Sequence, residues 1–182
     1  FDSLHGLQLS YSYDLPRIRT ASFLLDGWQI SGATMVKSGT PFTLFIGSDA
    51  PGYGNVDGSG GDRPHVVDAS ILGSTVGDPN TSTQIINRAR FRLLTPGEHR
   101  GSIGRNNFRK SGIANLNAAV TKQWHGGSAR EWRLLLRAEA YNLTNTPQFD
   151  EPQRNFTSPA FGKITNTLND GRVMQIGLRL VL

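Results

Sequence analysis

Residues Glu131–Phe149, EWRLLLRAEAYNLTNTPQF, constrain the fold more than any other stretch of the chain. Intrinsic propensity favours a helix, because Leu, Arg, Ala and Glu dominate the first half and Pro is absent until Pro147. Period favours a strand. Trp132, Leu134, Leu136, Ala138 and Ala140 fall on one side, and Arg133, Leu135, Arg137, Glu139 and Tyr141 on the other. A helical face of Trp132, Leu135, Leu136, Glu139 and Leu143 sets a carboxylate inside its apolar stripe, whereas the strand gathers every charge on one face. The alternation predicts a strand.

Four other stretches repeat that period. Leu7, Leu9, Tyr11, Tyr13 and Leu15 alternate with Gln8, Ser10, Ser12 and Asp14. Trp28, Ile30, Gly32, Thr34 and Val36 form a weaker second pattern, which Gly39 and Pro41 interrupt before PFTLFI. Ala114, Leu116, Ala118, Val120 and Trp124 form a third, with Lys122 as a misfit on the apolar face. Met174, Ile176, Leu178, Leu180 and Leu182 form the last. Strands are therefore expected at about 7–15, 28–37, 113–124, 132–141 and 173–182. Trp132 mirrors Trp124 across a short turn, which settles the ambiguous stretch as the partner of its predecessor. Parity and turn position set Arg133 near Gln123 and Glu139 near Asn117.

The connections are unequal. RIRTASFLLD links the first two strands and HGGSARE the third and fourth, whereas about 47–110 and 142–171 are long. GSDAPGYGNVDGSGGDRP and VGDPNTSTQ read as turn material, and VVDASIL as a short strand or helical turn. With 21 Gly, 9 Pro and 37% hydrophobic residues among 182, many turns or long loops are expected rather than a helical bundle. A connection of about sixty residues is too long for a hairpin and reads as a functional loop.

Strands of about nine residues suit a tilted membrane-spanning strand. Alternating short and long connections are the asymmetry of an outer-membrane barrel. Tyr13, Trp28, Trp124 and Trp132 all fall on the apolar faces beside the shorter connections, as an aromatic girdle at one membrane interface requires. Lys122 lies close enough to that level to snorkel. On the opposite faces, Arg133, Arg137, Glu139 and Arg179 are expected to line a polar lumen. The same alternation also fits a soluble or surface β-sandwich that binds carbohydrate or mediates adhesion, with the polar face in water. Only the barrel explains the aromatic residues gathering at one end.

Chemistry is sparse. The chain has no Cys, which excludes thiolate catalysis and Cys-based zinc sites. The net charge of +5 comes from scattered basic residues, so no nucleic-acid partner is expected. His5, His65, His99 and His125 lie far apart and read as solvated loop residues rather than metal ligands. Asp57 and Asp62 match no calcium loop, GSGGDR is no phosphate loop, and Glu98–His99 has no nucleophile pattern beside it. Asn142-Leu-Thr and Asn155-Phe-Thr fit the glycosylation sequon at chance frequency. No catalytic residue, cofactor or metal site is expected, and the chain is not read as an enzyme. No run is long and apolar enough for a membrane helix, and no signal peptide is visible.

Three blocks resemble the C-terminal end of TonB-dependent outer-membrane receptors, nearest to the Oar-like, acidobacterial subgroup whose members carry a carboxypeptidase-regulatory-like domain. They are GSIGRNNFRKSGIANLNAAVTKQW, RLLLRAEAYNLTNTPQFDEP and SPAFGKITNTLNDGRVMQIGLRLVL. Gly101, Gly104, Arg105, Asn106, Phe108, Gly112, Asn115 and Lys122 match the first pattern. Arg137, Glu139, Asn142, Asn145, Phe149 and Pro152 match the second. Phe161, Gly162, Ile164, Arg172, Gln175, Leu178 and Arg179 match the third. The chain departs at Ser111, Asn117 and Leu182, where the family usually has Pro, Asp and an aromatic residue. The resemblance implies an all-β antiparallel transmembrane barrel in the cell outer membrane, of which this chain is a C-terminal fragment of about five strands. A full barrel has about 22. It further implies uptake of a small-molecule, glycan or peptide ligand, with an N-terminal sandwich and a plug that lie outside this sequence. The implied partners are outer-membrane lipid, that plug and, through it, TonB. A passive porin is the remaining alternative.

Overall fold

A computed structural model describes residues 2–16, 22–127 and 131–182. Residues 17–21 of the expected first linker and 128–130 of the expected turn lie outside the described residues. In chain order the first elements are β1 (Gly6–Asp14), the helical turn α1 (Ser22–Leu25), β2 (Trp28–Lys37), β3 (Pro41–Phe42), β4 (His65–Val66) and β5 (Thr75–Val76). There follow helix α2 (Pro79–Ile85), β6 (Phe91–Arg92), β7 (Phe108–Lys110), β8 (Ile113–Gly126), β9 (Trp132–Tyr141) and β10 (Val173–Val181). These divide into two compact units. The strand unit comprises Gly6–Lys37, Ile113–Pro147 and Asn169–Leu182, and the loop unit comprises Phe1–His5, Ser38–Gly112 and Gln148–Leu168.

The strand unit is one antiparallel sheet in the order β1-β2-β8-β9-β10. Its register aligns the apolar positions of all five strands: Tyr11 faces Gly32, Gly32 faces Ala118, Ala118 faces Ala140, and Ala140 faces Met174. A one-residue slip would carry an entire strand's apolar set to the other side, so this agreement across four ladders specifies the pairing. The apolar face lies open along the outer strands, with Leu7, Leu9, Met174, Ile176, Leu178 and Leu180 all exposed. Gly32 leaves room for the Tyr11 ring, which occupies the space a Cβ would take, and the Trp132 ring covers Gly126 in the same way.

That last pair corrects the expected hairpin. β8 runs two residues beyond Trp124 to Gly126, which pairs with Trp132. Arg133 therefore sits opposite His125 and Glu139 opposite Ala119, rather than beside Gln123 and Asn117. The faces are unchanged, because the displacement is by two residues.

Within the first long connection, VGDPNTSTQ contributes to a helix, α2, rather than to turns alone. Segments from both connections share a hydrophobic core that includes Phe42, Leu44, Val76, Ile86, Phe91, Ile103, Phe108, Phe156, Phe161 and Ile164. Its rings meet edge to face, with Phe91 to Phe161 centroids 5.8 Å apart and Phe156 to Phe161 5.1 Å apart. Backbone pairing is short: β3 and β5 flank β7, the latter in parallel, and β4 pairs with β6. VVDASIL divides between the end of β4 and a 3-10 turn at Ala69–Ile71. Asp78 starts α2 by accepting the N–H groups of Asn80 and Thr81 at 2.8 and 2.9 Å, with Pro79 in the first turn. The second connection is stitched to the first by Phe156 N–H to the Phe45 carbonyl at 2.9 Å and by the Ser82 hydroxyl to the Gly162 carbonyl.

Candidate functional site

The polar face of the strand unit carries the four charged residues expected there. β9 places Arg133, Arg137 and Glu139 on one side, and pairing of Arg179 with Leu135 puts Arg179 on the same side. Glu139 is a hub: Arg137 and Gln175 both donate to its carboxylate, and the Tyr141 hydroxyl lies 3.5 Å away. Gln175 is there because it stands directly opposite Glu139 in the ladder. Arg133 and Arg179 have no ion-pair partner among the described residues. These four residues thus form one ion pair and two cations without an ion-pair partner among the described residues, and Asp14 and Lys37 share the face with them.

The turn after β9 holds several of the family-like positions. Asn142 and Asn145 both adopt left-handed backbone, with φ of 51° and 52°, a conformation Asn tolerates better than most residues. The buried Asn142 amide accepts from Thr146 N–H at 3.1 Å and donates to the Asp170 carbonyl at 3.1 Å. Asn145 Oδ1 accepts from Arg172 N–H at 3.0 Å. Asn117 Oδ1 accepts from Asn142 N–H at 3.0 Å. Asn142 is 5% exposed, which closes it to glycosylation. At Ser111, the N–H bonds the Val76 carbonyl at 3.2 Å, a contact that proline lacks.

Trp28, Trp124 and Trp132 share the apolar face with Tyr13, all toward the strand ends that the shorter connections join. α1 meets two of them: Trp28 Nε1 donates to the Leu24 carbonyl at 2.7 Å and Trp124 Nε1 to the Phe23 carbonyl at 2.8 Å. Phe23, Leu24 and Leu25 remain exposed. Lys122 does not reach out as expected. It is 1% exposed, with Nζ 5.6 Å from the Trp28 ring centroid and 5.1 Å from that of Trp124, and it donates to the Asp26 carbonyl. The two rings and one carbonyl satisfy the ammonium from within.

In the loop unit several acidic residues accept backbone N–H groups. Asp49 accepts from the N–H groups of Asp57 and Gly58, and Asp62 from Asn55 N–H at 2.6 Å. Glu98 forms a two-pronged bond with Arg92, both distances 2.9 Å, and accepts from Thr95 N–H at 2.7 Å. The Arg92 guanidinium and that N–H hold its carboxyl well below the usual carboxylate range. His65 is not a solvated loop residue: Nδ1 accepts from Ser102 N–H at 3.1 Å, leaving Nε2 to carry the hydrogen 3.2 Å from Glu98. Beside these residues lies a concavity of about 600 Å³ bordered by Asp62, Arg63, His99, Arg100 and Arg105. No sequence motif marked it, because its residues come from separate turns of one connection.

A membrane-length antiparallel sheet with one apolar face, one polar face and an aromatic belt defines the wall of an outer-membrane β-barrel. Residues 1–175 match the outer membrane beta barrel domain family, and the chain belongs to that family. Its place is the outer membrane. Neither the curated proteins nor the solved structures contain a match.

Proposed function

We propose that the chain contributes wall strands and outer loops to a TonB-dependent transporter that takes up a solute across the outer membrane. The observation that carries this reading is the loop unit. The long connections leave the strands at one end, where Lys37 faces Ile113 and Tyr141 faces Val173, and they fold around a core of their own. Long connections of outer-membrane barrels face outward and short turns face the periplasm. A packed outer unit with a polar concavity is suited to capturing a solute. The Arg137–Glu139–Gln175 network and the Asn142 turn support the Oar-like resemblance, since they join residues of its second and third blocks. In this reading Arg133 and Arg179 face the lumen, where a plug would meet them. In this reading Glu98 and Glu139 serve as ion-pair anchors.

The complete protein in planar bilayers tests the reading. A plugged transporter leaves the bilayer silent and cross-links to TonB in living cells. Steady open-channel conductance without cross-linking would assign a passive porin instead. Protease sites inserted at Gly58 and at Gly127 test orientation on intact cells, where cleavage at Gly58 and protection at Gly127 are expected. The reverse pattern sinks it.

A further inference from the structure

The loop unit contains eight arginines, and five of them are engaged. Arg90 pairs with Asp68, Arg92 with Glu98, Arg109 with Asp2 and Arg154 with Glu151. Arg88 donates to the Ser158 carbonyl at 2.5 Å and lies over the Phe156 ring. The other three, Arg63, Arg100 and Arg105, have no ion pair or side-chain hydrogen bond among the described residues, and all three border the same concavity. The one carboxylate on that wall, Asp62, already accepts from Asn55 N–H. The five engaged arginines are bound outside it.

We propose that this concavity binds a small oxyanion ligand carrying several carboxylate or phosphate groups. Three arginines without an ion pair border one recess beside a single carboxylate, so the recess carries a net positive charge that a multivalent anion neutralises. The planar fork of arginine matches both carboxylate and phosphate oxygens in pairs, with a directionality lysine lacks. The volume of about 600 Å³ admits a solute rather than a single ion. As the identity of the transported solute the proposal rests on the transporter reading above; as a binding site it stands without it.

The test is equilibrium binding to the complete protein in detergent, with tricarballylate and tripolyphosphate as probes and maltotriose as the neutral control. Binding of either anion without maltotriose is expected, weakening as salt shortens the Debye length below about 10 Å. Arg63→Gln, Arg100→Gln and Arg105→Gln are each expected to weaken it about tenfold or more, as loss of a charge-assisted pair does. Lys163→Gln removes the same charge elsewhere and is expected to leave binding unchanged. Heat-modifiable migration confirms that each variant is folded. If only lipid A in micelles binds, and the Arg variants lose it, the anion site stands and its source is a membrane headgroup. Absence of all anion binding, or equal binding by the three variants, overturns the proposal. Anion binding without energised uptake leaves the site standing and refutes the transport reading alone.

Discussion

Glu98 shows how a residue that looks chemical in the sequence becomes structural in the fold. Its carboxylate accepts from Arg92 and Thr95, and its folded pKa is depressed relative to the unfolded chain. The stability it adds is therefore present above the ordinary carboxylate pKa and is lost as pH falls through the lower folded value. Glu98→Gln is expected to lower the thermal midpoint of the loop unit at neutral pH. The gap between variant and wild type should close progressively on acidification, and a pH-independent gap would rule out this ion-pair origin. Gly162 is a backbone case. Its φ is 78°, and a Cβ would meet the Ile86 carbonyl, so Gly162→Ala is expected to cost about 1–3 kcal/mol, measured by denaturant unfolding. The residue's place in a family-like FG pair was legible in the sequence. Its reason was not, because Ile86 lies far away along the chain.

At the level of elements, the long strands were readable because each repeats period two for nine residues or more. In Glu131–Phe149 tertiary pairing overrode helix propensity, as the alternation required. The hairpin register was missed by two residues, since alternation fixes the face of a side chain but not where β8 ends. The loop unit escaped for the opposite reason. Its strands are two or three residues long, too short to show any period, and its core is assembled from single apolar residues between turns. Phe42, Leu44 and Ile46 alternate inward from Pro41, a run of three positions only. Phe108, fully buried between Phe42 and Phe91, is the element-scale test. Phe108→Ala should cost about 3–5 kcal/mol and open the loop unit to protease, while heat-modifiable barrel migration persists. Loss of both together would show that the two units unfold as one.

On the scale of the molecule, the sheet ends in two strands whose outer edges are unpaired within the described residues, β1 and β10. Lipid has no water to satisfy those backbone groups, so a membrane sheet must close. The isolated chain of 182 residues, placed in water without detergent, is expected to pellet through those edges and the exposed Leu7, Leu9, Ile176 and Leu178 face. A soluble monomer melting cooperatively would contradict this. The free arginines of the loop concavity could not be read from sequence at all, because being unpaired is a property of the folded neighbourhood.

The belt around Lys122 also makes the chain its own optical gauge. All three tryptophans of the sequence lie in that one band, and the loop unit contains none. Intrinsic emission therefore reports a single depth in the bilayer. Quenching by lipids brominated near the headgroup follows insertion of the wall, and unfolding of the outer loops leaves that signal untouched.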